Sequence, residues 1–202
     1  MEALAVVASE AEVSAVADSA GAAADSAEAA PPAAGETMNF KRFARHLLTD
    51  HWSVRRALPP AALRAIEKAI GEEERRHAGQ LRFAVEASLP LRELLRGVRS
   101  RERAVEWFGR LRVWDTEHNS GVLIYLLLAD RRVEIVADRG IHGKVGTTAW
   151  EAICGEMQQE FARRQFERGV VIGVRAISDL LAAHFPRSSD SRNELPDKPV
   201  LL

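Results

Sequence analysis

The chain has 202 residues, 47% of them hydrophobic and 28% charged, with a formal net charge of −1. That suffices for one ordinary domain plus tails and has the composition of a globular protein. The single cysteine, Cys154, excludes an internal disulfide and any cysteine-rich metal site, and no run of about 20 apolar residues offers a transmembrane helix.

The charge is unevenly spread. Residues 1–37 carry seven acidic residues and no Lys or Arg, whereas the rest carries 28 basic against 22 acidic residues, a charge of +6. The leader has neither the basic start and apolar core of a secretory signal nor the arginines of a transit peptide. Its Ala/Glu/Ser composition, ending at Pro31-Pro32, reads as disorder. Composition changes at Met38, which reads as the natural start, with 1–37 either a dispensable tail or the product of a mis-called start codon. Residues 38–57 are expected to form a basic amphipathic helix and a linker. In Met38–Leu48, Phe40, Phe43, Ala44, Leu47 and Leu48 follow helical spacing, and Lys41, Arg42, Arg45 and His46 are basic. Packing onto the chain's own domain, with the basic residues facing water, is the favoured reading. Docking on a membrane surface or a partner is the other.

Residues 58–186 read as the domain. Pro59-Pro60 precedes a helix over Ala61–Arg76 with Leu63, Ile66, Ala69 and Ile70 as its apolar stripe. Gln80–Glu86 is predicted as a strand and Pro90–Leu111 as one helix whose mixed Arg/Glu charge marks a solvated face. Val122–Leu128 is a continuous apolar run and Val133–Ala137 alternates; the turn Ala129–Arg132 makes them a hairpin. Gly140–Gly146 lacks any nucleotide-loop pattern and reads as a flexible turn. Thr148-Ala149-Trp150-Glu151 predicts a capping box that opens a helix to about Arg164. Phe166–Phe185 is the last helix, stopped by Pro186, and 187–202 is expected to be a flexible tail. Trp107, Trp114 and Trp150 read as packing residues, and Cys154 as a buried thiol.

This order predicts an α/β class chain: a three-layer α/β/α sandwich with a small mixed sheet, a parallel pair plus the hairpin. A hairpin brings its open ends together, so Asp115, Glu117, His118, Asn119 and Asp138 should share one sheet edge. With the first two strands parallel, Glu74, His77 and Gln80 should lie there too, and Glu86 at the opposite edge. The oxygen-rich Asp115, Glu117, Asn119 and Asp138 suit a hard divalent cation such as Ca²⁺ or Mg²⁺. His77, His118, Arg139 and His142 would complete a binding edge, the histidines suiting zinc or acid/base work. The plainer reading is a solvated loop whose Asp and Asn side chains make turns. No nucleotide or redox cofactor and no nucleic-acid stripe is evident.

Asn119-Ser120-Gly121-Val122-Leu123-Ile124, the turn Ala129-Asp130-Arg131-Arg132-Val133 and Ile135…Gly140-Ile141 resemble the TPM domain. Phe166…Gly169…Gly173-Val174…Leu180-Leu181 resembles the closing helix pair of that family. The likeness covers about Leu58–Phe185. It implies a three-layer α/β/α domain, phosphatase or calcium-binding activity, and links to membrane-protein maintenance. Many members carry an Asp just before the first domain helix. Here Trp52-Ser53-Val54-Arg55-Arg56-Ala57-Leu58-Pro59 has Val and Arg in its place. The expected function is an accessory or binding module with a cation-holding polar edge; a divalent-metal-dependent phosphatase is the alternative. The expected location is cytoplasmic or peripheral to the membrane, with an unknown protein partner, membrane-associated or not, and peripheral membrane contact through 38–48.

Overall fold

The computed structural model describes residues 6–7, 40–189 and 191–202. Five strands are present among them: β1 (Val6–Val7), β2 (Gln80–Glu86), β3 (Gly121–Leu127), β4 (Arg132–Ala137) and β5 (Val200–Leu201). The helices are α1 (Phe40–Leu48), α2 (His51–Ala57), α3 (Pro60–Glu73), α4 (Leu91–Leu95), α5 (Ser100–Arg110), α6 (Arg139–Val145), α7 (Thr147–Ala162) and α8 (Phe166–His184).

Every side chain of β2 and β3 is buried, as expected of central strands covered on both faces. They pair in parallel from Gln80↔Gly121 to Glu86↔Leu127. β4 returns antiparallel to β3 from Leu127↔Arg132 to Val122↔Ala137, the predicted hairpin. β1 lies antiparallel to β4 and β5 parallel to β2, giving the order β1-β4-β3-β2-β5. On one face α3, α7 and α8 set Ile66, Ile70, Met157, Val174 and Leu181 against Phe83, Ile124 and Ile135. On the other, Ala104 and Phe108 of α5 meet Leu123, Tyr125 and Val136. The chain is thus an α/β/α sandwich, as its element order implies.

The sheet has two polar edges. The amino edge is where β2 and β3 start and β4 ends; the carboxyl edge is where β2 and β3 end. At the carboxyl edge Glu86 is buried and fully engaged. Arg103 grips it twice, through Nε at 2.9 Å and Nη2 at 2.7 Å, and Tyr125 Oη donates to it at 2.6 Å. Trp107 Nε1 donates at 3.2 Å, and the Arg103 guanidinium lies over the Trp107 ring. Burial beside that carboxylate pushes the Tyr125 phenol well above its ordinary range.

Several expectations change. The Pro90–Leu111 helix is two, because Gly97 at φ 70° turns the chain out of α4 before α5 begins. Arg103 is not on a solvated face but 7% exposed in the Glu86 network. Trp114 is 49% exposed rather than packed. The Gly140–Gly146 turn is helix α6, held by Asp138 at its start and by Ile141 buried in the core. α7 begins after Gly146 without a side-chain cap, so the Thr148 capping box does not form. α2 occupies what read as linker, capped by Asp50, which accepts from Ser53 N–H at 3.0 Å. The 187–202 tail is not frayed. Leu195 is buried, Gln80 accepts the Glu194 and Leu195 amides, and β5 adds to the sheet. Of the leader read as disordered, only Val6–Val7 lies within the described residues, and it forms an edge strand.

Candidate functional site

The amino edge gathers the residues singled out by their sequence positions. Asp138 directly follows β4, its N–H donating to Gly121 O at 2.9 Å, and its Oδ1 accepts the Arg139 N–H at 2.7 Å. Its other carboxylate oxygen is buried and has no protein partner. Burial raises the Asp138 pKa, more than the Arg139 amide and guanidinium lower it. His77 is 1% exposed; its Nδ1 donates to Gly79 O at 3.0 Å, so Nε2 is left as a bare, buried acceptor. Burial holds the imidazole pKa below its ordinary range. Ser120 Oγ and His142 Nδ1 are likewise buried without partners.

Gly140 explains how the polar loop reaches this edge. A Cβ at Gly140 would stand 2.5 Å from Asn119 O and 2.7 Å from His118 O, so the loop backbone lies directly on the start of α6. Asn119 holds the turn at φ 50°, a conformation that Asn tolerates. His118, Gly140, Lys144, Phe185, Pro186 and Ser188 line a cleft of about 460 Å³ there. Lys144 Nζ donates to His184 O at 3.1 Å and sits 4.0 Å from the Phe185 ring centre.

The structure therefore sets His118 and Asn119 against Gly140 in the helix that Asp138 caps. Asp115, Glu117, His118 and Arg139 are exposed. Glu117 turns its amide to Glu194 at 3.1 Å. Among the described residues no group of three or more His, Cys, Asp or Glu is arranged to hold a metal ion, so the expected four do not form a ready cage. Lys144, Phe185 and Ser188 were not foreseen. Their only sequence signal was Pro186, which turns the chain back over the edge and lets His77 bridge to it.

A larger cleft of about 720 Å³ opens at the other edge, lined by Ala57, Pro59, Phe166, Arg164, Arg168 and Arg175. Two of its arginines face acids, Arg168 at 3.5 Å from Glu160 and Arg175 at 4.0 Å from Glu73. None of the foreseen site residues lines it.

The TPM domain model matches residues 55–180, the segment that holds both strands of the parallel pair, the hairpin and the closing helices. The chain belongs to the TPM domain family. Its TPM domain is similar to the BA42 protein from the psychrophilic bacterium Bizionia argentinensis, solved by NMR. The two share 28% sequence identity at a TM-score of 0.65, covering 72% of this chain and 95% of that one. No curated protein matches the chain. No helix among the described residues of the TPM domain chain is long and apolar enough to cross a membrane.

The amino edge also carries a pH dependence. Glu74 is 5% exposed and accepts the Leu81 N–H at 2.9 Å. Burial first, then the neighbouring Asp197 carboxylate, lifts its pKa from 4.5 to about 8. Between those values the folded chain holds a proton that the unfolded chain has lost. Its contribution is fully present below the unfolded pKa and is lost as pH rises through the folded one, so stability falls toward pH 8. Glu74→Gln keeps an acceptor for Leu81 and should be more stable than wild type at pH 8 by about 1–3 kcal/mol, with little difference at pH 5. Urea unfolding at the two pH values measures this; equal differences at both would refute it.

Proposed function

We propose that this TPM domain is a binding module whose amino edge takes up a divalent cation. The observation that supports the reading is the free, buried Asp138 oxygen. A buried carboxylate oxygen without a partner costs stability unless a donor or cation meets it. His77 Nε2 at the same edge is a second buried lone-pair group without a donor or cation facing it. Asp138 is the fixed ligand, and the oxygens of Asp115, Glu117 and Asn119 come from the loop seated on α6. The alternative, metal-dependent phosphomonoester hydrolysis, draws on the same residues and on His118 and Lys144 in the adjoining cleft.

Thermal melting of the full chain with Ca²⁺, Mg²⁺ or Mn²⁺, or with chelator, tests the reading. At about 100 times Kd a cation should add about 2.7 kcal/mol, a rise of roughly 5–10 °C. Asp138→Asn should abolish most of the rise while leaving the cation-free protein as stable or more so. A flat response to all three cations, or an unchanged rise in Asp138→Asn, overturns it. The same samples given a generic phosphomonoester decide whether the edge hydrolyses as well as binds.

A further inference from the structure

The amphipathic helix α1 is docked the opposite way round from its sequence pattern. Its polar face is turned inward. His46 is 4% exposed; its Nδ1 accepts the Leu89 N–H at 3.0 Å, so Nε2 carries the proton and donates to Asp130 at 3.0 Å. Arg42 reaches Asp130 at 3.0 Å and Val98 O at 2.8 Å, and Arg45 reaches Asp130 at 3.3 Å. Burial raises the Asp130 pKa, but His46 and Arg42 outweigh it and hold the carboxyl below its ordinary value. The clamp fixes α1 on the tip of the β3–β4 hairpin.

Much of the apolar face is therefore left outside, with Phe43 and Ala44 half-buried. Phe40 is 75% exposed, Leu47 63% and Leu48 83%, and Trp52 at the start of α2 is 60% exposed. Leu91 and Leu95 of α4 are also exposed, and α1 is bonded to the chain on both sides of α4, at Leu89 and Val98. Among the described residues, only Trp114 and Leu201 of the large exposed hydrophobics lie elsewhere. So much exposed apolar surface at one place marks an interaction site.

The charge around it selects the partner. Residues 40–58 and 91–96 carry Lys41, Arg42, Arg45, Arg55, Arg56, Arg92 and Arg96 against Asp50 and Glu93. Asp130 balances one of the two clamp arginines, Arg42 and Arg45, so four positive charges remain in excess around the face. The Arg55 guanidinium lies over the Trp52 ring at 5.4 Å, an indole with a cation beside it. Exposed Phe, Leu and Trp side chains ringed by Lys and Arg suit a surface that is apolar beneath and negative on top. We propose that the carboxyl edge docks, through α1, α2 and α4, on an anionic lipid bilayer surface. The inference does not depend on cation uptake at the amino edge.

Co-sedimentation of the full chain with vesicles tests it, comparing phosphatidylcholine alone with phosphatidylcholine containing phosphatidylglycerol. The anionic vesicles should bind the chain at least about tenfold more tightly, and added salt should weaken that binding. Leu47→Ser with Leu48→Ser should reduce it at least about tenfold, because both side chains are exposed and their loss leaves the core intact. Arg55→Glu with Arg56→Glu should abolish the preference for anionic lipid while the melting temperature stays close to wild type. Binding unaffected by either pair of changes, or equal on neutral and anionic vesicles, overturns the proposal. So does failure of wild type to bind vesicles while it self-associates through Leu47 and Leu48, which would make the face a protein–protein surface.

Discussion

Arg103→Ala should cost about 3–5 kcal/mol of folding free energy, among the largest effects of any single change at a polar position of this protein. The reason is what it leaves behind. Glu86 is 4% exposed, and its charge is balanced by the two-pronged grip of Arg103 at 2.7 and 2.9 Å. Tyr125 and Trp107 would remain as donors, but they are neutral. A buried carboxylate with hydrogen bonds and no cation is a costly species. The double change Glu86→Gln with Arg103→Met removes both charges and should cost much less than Arg103→Ala alone. Urea unfolding with linear extrapolation measures both; a double variant as unstable as the single one would show that packing, not charge, dominates there.

Gly121→Ala should be comparably damaging, by about 3 kcal/mol or more, although it adds one methyl group. Gly121 starts β3, and a Cβ there would run into the backbone carbonyl of Val113. Neither side can yield. Val113 is fully buried, its N–H bonded to Phe108 O at 3.1 Å, and Gly121 is held on both sides, by Gln80 and by Asp138 N–H. The close approach is what tucks the chain after α5 under the sheet, so that 115–120 emerges at the amino edge. The variant should melt far below wild type or fail to fold. A melting temperature within a few degrees of wild type would show that the loop can shift, and with it the seat of His118 and Asn119 on Gly140.

Strands β2, β3 and β4 were legible because their signals are local: an apolar run or a clean alternation, with Ala129–Arg132 as a turn between two of them. The family likeness and the three-layer arrangement followed from that order. What was not legible depended on distant partners. Nothing in the spacing of Glu86 and Arg103 announces a two-pronged ion pair across two layers. The amphipathic pattern of 38–48 suggested a buried apolar face. Asp130, far along the chain, instead draws in the polar one. Gly140, Gly143 and Gly146 disguised α6 as a turn, since glycine disfavours helix and only the Asp138 cap and Ile141 burial restore it. Val200–Leu201 is too short to read as a strand among prolines, and only the open side of β2 gives it a place. At the candidate site Gly140, two residues after Asp138, lies against the 118–119 turn. That Asp115 and Glu117 would face water was not foreseeable from the hairpin.

The seven-residue length of β2 and β3 has a consequence for any combined set of changes. At roughly 3.3 Å per residue, the two polar edges stand about 20–23 Å apart. That exceeds both the roughly 7–10 Å over which substitutions couple and the screening length of about 8 Å at physiological salt. Free-energy changes made at Asp138 and at Leu47 should therefore simply add, and each edge can be retuned without renegotiating the other.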